Sequence, residues 1–211
     1  MSDIPLLINA PEKGKPLLNL VLAPGAGALM DSPFMEEMAR ALTAQSIQVI
    51  RFEFRYTREF RKTGRRSAPD ATDVLQECWA DVVDQIGTPS SMVIGGKSMG
   101  GRIASMVADK LTVRGLVCLG YPFHPAGRPG TLRVSHLKEL KTPALILQGT
   151  RDTMGTREEI AGYTLSKAIR VAYLEDGDHS FKPRKSSGRA YEQNMMEAVR
   201  ETALFCLSLF K

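Results

Sequence analysis

Cysteine is scarce in this chain of 211 residues, and its three positions lie far apart along the sequence. Cys78, Cys118 and Cys206 are odd in number and stand among apolar neighbours. Neither the paired pattern of a disulfide framework nor the close spacing of a metal-binding motif is present. We therefore expect three buried thiols, no metal site and a reducing, cytoplasmic compartment.

Long hydrophobic runs are also missing from the sequence. No apolar segment approaches the roughly 20 residues that a membrane-spanning helix needs. The first 19 residues hold no basic segment followed by an apolar core, so they do not predict a secretory signal. With 43% hydrophobic and 24% charged residues, the chain has the composition of a globular protein, and its length favours a single domain over residues 1–211. We expect no association with a membrane.

Positive charge is concentrated in one stretch of the chain, residues 51–66. This stretch holds seven basic and two acidic side chains, and the difference of five equals the net charge of the whole chain, +5. Such a run usually forms a solvated loop. The alternatives are attraction of an anionic substrate or, more weakly supported, of nucleic acid, since aromatic residues interleave with the charges. The basic residues are Arg51, Arg55, Arg58, Arg61, Lys62, Arg65 and Arg66.

Short apolar runs alternate with amphipathic segments about six times. The runs are continuous rather than alternating, which is typical of strands covered on both faces. This pattern predicts an α/β fold with a mostly parallel, doubly wound sheet of about six or seven strands and helices on both faces. We expect strands over 17–23, 47–52, 92–94, 115–119, 144–148 and 170–174, and helices over 33–45, 70–86, 99–111, 156–166 and 191–210.

A glycine-rich turn joins the third predicted strand to the helix after it. Its sequence, Gly96-Lys97-Ser98-Met99-Gly100, has the form G-x-S-x-G. Between a strand and a helix this form is typical of a nucleophile elbow, where glycines avoid collisions at a sharp turn. A phosphate-binding P-loop is excluded because that motif needs glycine where the chain has Ser91. The alternative interpretation is a strand-to-helix turn without chemistry.

A serine nucleophile needs a base, and the chain offers only three histidines. His179 follows the last predicted strand, where the chain order of an α/β-hydrolase triad places the base. His124 also follows a strand and remains an alternative base or a pocket residue. His136 lies in the lead-in to a strand, away from the predicted active edge, and we interpret it as a surface residue.

The acid of the triad has three candidates. Asp152 directly follows a predicted strand and stands between Ser98 and His179 in the chain, as the order requires. Asp176 and Asp178 are closer to His179 in sequence, but a near neighbour rarely reaches the ring at the required angle. We favour Asp152, with a helix N-cap as the alternative role for its carboxylate.

An oxyanion hole requires two backbone N–H groups. The residue after the nucleophile, Met99, supplies one at an elbow. The small-residue loop after the first predicted strand is the usual place for the second, and we favour Ala26 over Gly25 and Gly27. A tight turn without this role is the alternative.

Together these features resemble the α/β-hydrolase superfamily over nearly the whole chain. The closer resemblance is to small, lidless hydrolase-like domains related to dienelactone-hydrolase-like proteins and to the third regulatory subunit of the NSL histone acetyltransferase complex. One departure is Pro24-Gly25, where many relatives carry His-Gly. The segments that carry the resemblance are Ala23–Ala28, Met30–Phe34, Arg51–Phe52, Thr63–Arg66, Gly95–Arg102, Gly120–His124, Gln148–Asp152 and Gly177–Phe181.

The resemblance implies a serine hydrolase that cleaves ester, thioester or amide bonds of a small-molecule acyl substrate through an acyl-enzyme, without a cofactor. The short connection over residues 120–142 predicts a minimal cap or none, and therefore an open site. We hypothesise that the substrate is anionic. The alternative is a binding or scaffold module that keeps the fold with little turnover. The expected substrate-binding residues are Gly25, Gly27, Arg55, Tyr121 and His124.

Overall fold

The computed structural model describes residues 3–12 and 14–210, which build one seven-stranded sheet. The strands are β1 (Leu6–Asn9), β2 (Leu18–Ala23), β3 (Ile47–Phe52), β4 (Met92–Lys97), β5 (Gly115–Leu119), β6 (Ala144–Gly149) and β7 (Ile169–Leu174). They lie in the order β1-β3-β2-β4-β5-β6-β7. β1 runs antiparallel to β3, and the other neighbouring pairs are parallel. The predicted sheet is confirmed.

Helices cover both faces of the sheet, as predicted. They are α1 (Pro33–Thr43), α2 (Arg55–Thr63), α3 (Thr72–Ile86), α4 (Met99–Val107), α5 (Arg157–Ala161) and α6 (Tyr191–Ser208). The buried side chains of α1 and α6 share one core cluster, and those of α3 and α4 share the other. The α/β-hydrolase architecture thus has one hydrophobic core on each side of the sheet.

Strand β2 explains why the strands are apolar without alternation. Leu20 and Leu22 pack in the core beneath α1 and α6, whereas Val21 and Ala23 pack in the opposite core. Successive side chains of a strand point to opposite faces, so a strand covered on both sides needs apolar residues throughout. The three cysteines are also free and buried, as predicted.

Two elements differ from the sequence-based expectation. β1 is a four-residue edge strand that lies in a segment punctuated by prolines, before the first strand that the sequence predicted. The helix α2 replaces most of the basic loop expected over residues 51–66. Only Tyr56 and Thr57 of this helix are buried, so its sequence lacks the apolar period that predicts a helix. The Asp70 carboxylate accepts a hydrogen bond from the Tyr56 N–H at 3.1 Å, and Gly64, with φ of 70°, ends the helix.

Other differences lie at the ends of strands and helices; β4, for example, continues to Lys97, three residues beyond its predicted end. α4 and α5 end at Val107 and Ala161, four and five residues before the predicted ends. The connection between β5 and β6 contains one short 3₁₀ turn, Ser135–Lys138, and no α-helix over its residues 120–143. This connection fits the expectation of a minimal cap. Within residues 3–12 and 14–210, we find no helix with both the length and the apolarity to cross a bilayer.

Candidate active site

Ser98 occupies a strained turn between β4 and α4. Its backbone has φ of 51° and ψ of −116°, a conformation that side chains rarely adopt. Two neighbouring glycines make the turn possible, because a Cβ on Gly96 or Gly100 would lie 2.1 or 2.2 Å from the Ala23 carbonyl oxygen. The Ser98 N–H donates to the Leu119 carbonyl at 3.0 Å. The turn thus holds the hydroxyl, which is partly exposed, above the carboxyl edge of the sheet.

Ser98, His179 and Asp152 lie in one hydrogen-bonded chain. His179 Nε2 is 2.9 Å from Ser98 Oγ, and His179 Nδ1 is 2.7 Å from Asp152 Oδ2. An ionised carboxylate only accepts hydrogen bonds, so it holds the imidazole proton on Nδ1 and leaves Nε2 free to accept the serine proton. Asp152 is fully buried, whereas the His179 side chain is 24% exposed.

The other two acid candidates point away from His179. Asp176 pairs with Arg184 and Arg151, and the hydrogen bond from Arg184 lowers the pKa of Asp176 to about 2. Asp178 Oδ1 accepts hydrogen bonds from the backbone N–H groups of Ser180 and Lys182. Both carboxylates therefore shape the loop that carries His179, and neither contacts its ring.

Two backbone N–H groups near Ser98 are free to bind an oxyanion. Within the described residues, the N–H groups of Met99 and Ala26 donate to no backbone or side-chain acceptor. The Gly27 N–H, by contrast, donates to the Tyr56 hydroxyl at 3.0 Å and is not available. A Cβ on Gly25 would lie 3.5 Å from Ser98 Cβ, which places this loop beside Ser98.

Lys97 is a neighbour of this site that the sequence analysis missed. Its side chain is buried, and Nζ donates a hydrogen bond to the His179 carbonyl at 2.7 Å. Gly120 makes room for it, since a Cβ there would lie 3.0 Å from Nζ. Burial lowers the pKa of Lys97 to about 8. The sequence around Lys97, which precedes Ser98, does not distinguish a buried lysine from an exposed lysine.

Gln148 is a second missed residue, and here a signal existed. Its Nε2 donates to Asp152 Oδ2 at 2.8 Å, and its Oε1 accepts from the Tyr121 N–H at 2.8 Å. A fully buried amide at the end of the otherwise apolar run of β6 needs hydrogen-bond partners. That requirement could have indicated a residue that positions Asp152.

Two expected substrate-binding side chains, those of Tyr121 and His124, are buried, and a third, that of Arg55, is exposed. The Tyr121 hydroxyl is buried and donates to the Arg133 carbonyl. His124 is also buried, with Nδ1 2.9 Å from the Pro125 carbonyl oxygen. Arg55 is exposed but lines a separate cavity between the N-terminal segment and α2. We correct the predictions for Tyr121 and His124, because both rings are buried after β5, whereas a role of Arg55 in substrate binding stays a prediction.

His136 is not the surface residue that the sequence suggested. Its Nε2 lies 2.8 Å from the buried Ser105 hydroxyl and 3.4 Å from the Tyr121 hydroxyl. The Ser105 hydroxyl donates to the Arg102 carbonyl, so it accepts from the histidine. Burial lowers the pKa of His136, which favours the neutral ring. This second serine–histidine pair fastens the 3₁₀ turn to α4.

Metal ligation has no evident place in this arrangement. Over the part of the chain that the structure describes, no group of three or more His, Cys, Asp or Glu side chains is arranged to hold an ion. The ring nitrogens of His179 are engaged in hydrogen bonds with Asp152 and Ser98.

Comparison with known proteins identifies the architecture. The family model described as alpha/beta hydrolase domain matches residues 17–207. The chain belongs to the alpha/beta hydrolase domain family. Solved structures of similar fold include an α/β serine hydrolase homologue from Coxiella burnetii, with 19% identity, TM-score 0.71 and coverage of 93% of this chain and 90% of the other.

Two more structures share the fold of this α/β hydrolase. A serine hydrolase without a lid from Xanthomonas campestris has 20% identity and TM-score 0.66, covering 93% of this chain and 88% of that one. Dienelactone hydrolase from Anabaena variabilis has 19% identity and TM-score 0.69, covering 96% and 90%. At these identities the likeness concerns the fold alone, whereas the family membership supports hydrolase activity.

Proposed function

We propose that this protein is a serine hydrolase that cleaves an ester, thioester or amide bond by way of an acyl-enzyme. The observation that carries the proposal is the chain of hydrogen bonds of 2.9 and 2.7 Å that links Ser98, His179 and Asp152. In this proposal Ser98 Oγ attacks the carbonyl carbon while its proton passes to His179 Nε2. The negative charge that develops on the carbonyl oxygen is met by the N–H groups of Met99 and Ala26.

The second half of the reaction uses the same groups. The protonated His179 donates its proton to the leaving alcohol, thiol or amine, and the acyl group stays on Ser98. Water then loses a proton to His179 and attacks the acyl-enzyme, and His179 returns this proton to Ser98 Oγ as the acid is released. Asp152 stabilises the imidazolium in both halves, and Gln148 holds Asp152 in place.

We propose an anionic small molecule rather than nucleic acid as the substrate. Of the basic side chains over residues 51–66, Arg51 pairs with Glu36, Arg61 with Glu53 and Lys62 with Glu59. Three of the seven basic side chains are thus paired with carboxylates, which weakens the positive field that a phosphate backbone would meet. We also propose a cytoplasmic location, supported by the three free thiols.

Labelling of the purified protein with a fluorophosphonate probe tests the function. The probe reacts with activated serines, so Ser98→Ala and His179→Ala should both lose labelling while remaining folded. Ser180→Ala is the matched control, since Ser180 is exposed and lies next to His179. A folded wild-type protein that neither labels nor hydrolyses short acyl esters would favour the binding or scaffold module instead.

A further inference from the structure

A small cavity of about 70 Å³ lies against the loop that follows β2. We call it the Gly27 cavity. It lies between that loop, α2 and the segment after α2. Its lining residues are Gly27, Tyr56, Thr57, Phe60, Arg66 and Ser67.

The Gly27 cavity is connected to the proposed oxyanion hole by one hydrogen bond. The Gly27 N–H donates to the hydroxyl of Tyr56, which fixes the loop against α2. Gly25, two residues earlier in this loop, lies against Ser98. Because consecutive Cα atoms are about 3.8 Å apart, the Cα atom of Gly27 is at most about 8 Å from that of Gly25.

Sheet topology decides which half of a substrate could enter the cavity. The loop that contains Gly27, which we call the Gly27 loop, follows β2, and α2 follows β3. Both strands lie on one side of β4, the strand that ends before Ser98. His179 follows β7, on the other side of β4. The leaving group takes its proton from His179 and must lie on that side. The acyl half therefore extends toward the Gly27 cavity.

The polar groups of the cavity suit an anion. Thr57 is 1% exposed, and its buried Oγ1 has no hydrogen-bond partner among the described residues. A buried hydroxyl without a hydrogen-bond partner is rare and requires an explanation, such as an ordered water molecule or a bound ligand. Arg66 carries the only charge of the lining; its guanidinium lies 5.1 Å from the Phe60 ring centre, and it forms no ion pair within the described chain.

The larger basic cavity beside α2 fits an anion less well. It is lined by Arg55, Arg58, Arg61 and Lys62, but also by three carboxylates. Glu53 binds Arg61 through both carboxylate oxygens. The Gly27 cavity has no acidic residue in its lining, so an entering carboxylate meets no repulsion there.

We propose that the Gly27 cavity binds the acyl half of the substrate, and that this half is short and ends in a carboxylate. The inference rests on the proposed hydrolase function. The carboxylate pairs with Arg66 and accepts a hydrogen bond from the Thr57 hydroxyl, while the methylene groups lie against Phe60. The small volume admits a chain such as succinyl and excludes long fatty acyl groups.

Succinyl and butyryl thioesters of N-acetylcysteamine test the proposal, because they share a four-carbon chain and differ in the carboxylate. Wild-type protein should have the higher kcat/KM on the succinyl thioester. Arg66→Gln should lower that value roughly 10-fold to 100-fold, as expected for a hydrogen bond to a charged group, and should lower the butyryl value much less. Arg65→Gln is the matched control, since Arg65 is an exposed neighbour outside the cavity lining. Equal effects of the two variants, or a preference for butyryl, would overturn the proposal.

A second readout separates this proposal from the proposed function. Free succinate should slow fluorophosphonate labelling of Ser98 in wild type, and Thr57→Val or Arg66→Gln should weaken that protection. Labelling that succinate does not slow would reject the subsite and leave the hydrolase intact. Absence of labelling in folded protein would reject the hydrolase itself, and the subsite with it.

Discussion

The ammonium nitrogen of Lys97 donates a hydrogen bond to the carbonyl oxygen of His179 across 2.7 Å. The residue before the proposed nucleophile is thus fastened to the loop that carries the proposed base. Phe34 extends this contact, because Lys97 Nζ lies 5.6 Å from its ring centre and the same ring packs edge-on against Phe181. The buried ammonium group of Lys97 thus links the end of β4 to the loop that follows β7.

Replacement of Lys97 by Met should make stability depend on pH in a specific way. Burial lowers the pKa of Lys97 from 10.5 to about 8, so burying the charged side chain costs roughly 3 kcal/mol of stability. The variant avoids this cost but loses the hydrogen bond to His179, which offsets about 1 kcal/mol of the gain. Below pH 8 the lysine is charged in both states, so the variant should be more stable by about 2 kcal/mol. Between pH 8 and 10.5 the unfolded chain holds more protons, wild type gains stability, and the advantage should disappear.

Urea unfolding of both proteins at pH 7 and pH 10 measures this difference. Other groups also make stability depend on pH in this range. Burial raises the pKa of Cys78 to about 11 and of Cys206 to about 12, so these thiols ionise there only in the unfolded chain. Those groups are common to both proteins and cancel in the difference. Lys110→Met, at an exposed lysine, should show no such pH dependence. An advantage of Lys97→Met that stayed constant from pH 7 to pH 10 would contradict the prediction.

Gln148→Met should lower kcat with little change in KM. The variant keeps the size of the side chain but removes the donor to Asp152 and the acceptor for the Tyr121 N–H. Asp152 then keeps only the Met154 N–H and His179 as donors and fixes the imidazole less firmly, so we expect kcat on a short acyl ester to fall on the order of 10-fold to 100-fold. The free energy of unfolding should fall by about 1 to 3 kcal/mol for the unpaired buried groups.

Steady-state kinetics and urea unfolding separate the two effects of Gln148→Met. Gln45→Met, at an exposed glutamine remote from Ser98, serves as the control and should leave both quantities unchanged. Loss of stability with undiminished kcat would show that Gln148 supports the fold without positioning Asp152.

The strands and the order of the candidate functional residues could be predicted from the sequence, because both depend on local chemistry. The strand predicted over Ile47–Phe52 has those bounds, since a strand buried on both faces must be apolar throughout. The elbow is equally local, because the sharp turn at Ser98 requires glycine on both sides. Helix α2 is different: the Tyr56 N–H at its start is satisfied by Asp70, 14 residues away, so no local pattern predicts it.

The surroundings of the site depend on contacts distant in sequence. Lys97 reaches His179, which is 82 residues away, and Gln148 reaches Tyr121, which is 27 residues away. Residues that follow strands all lie near one edge of the sheet, yet their side chains divide between that edge and the core. His124 illustrates the limit, since its position after β5 suggested a pocket residue and its ring is buried.

Tyr56→Phe should slow Ser98 labelling while the protein stays folded. The change removes the acceptor for the Gly27 N–H, which fixes the loop that presents the Ala26 N–H. A less ordered donor binds the oxyanion less well, so we expect a several-fold lower labelling rate and a loss of stability of about 1 kcal/mol.

Labelling kinetics with the fluorophosphonate probe measure the effect of Tyr56→Phe. Tyr163→Phe is the matched control, because the Tyr163 hydroxyl has no hydrogen-bond partner among the described residues and this ring lies away from the Gly27 loop. Equal labelling rates in the two variants would show that the Tyr56 hydroxyl does not support the proposed oxyanion hole.

Gly100→Ala should be the most damaging of these substitutions. A Cβ at this position would lie 2.2 Å from the Ala23 carbonyl oxygen and 2.7 Å from that of Pro24, and backbone atoms cannot move aside as a flexible side chain would. The elbow and the Gly27 loop must therefore separate, which disturbs nucleophile and oxyanion hole together. We expect a loss of about 2 to 4 kcal/mol in the free energy of unfolding, and no labelling of Ser98. Gly130→Ala isolates the steric cause, since a Cβ on Gly130 meets no atom within 4 Å. If urea unfolding and labelling of the two variants were alike, close packing of Gly100 against β2 would not be what fixes the elbow.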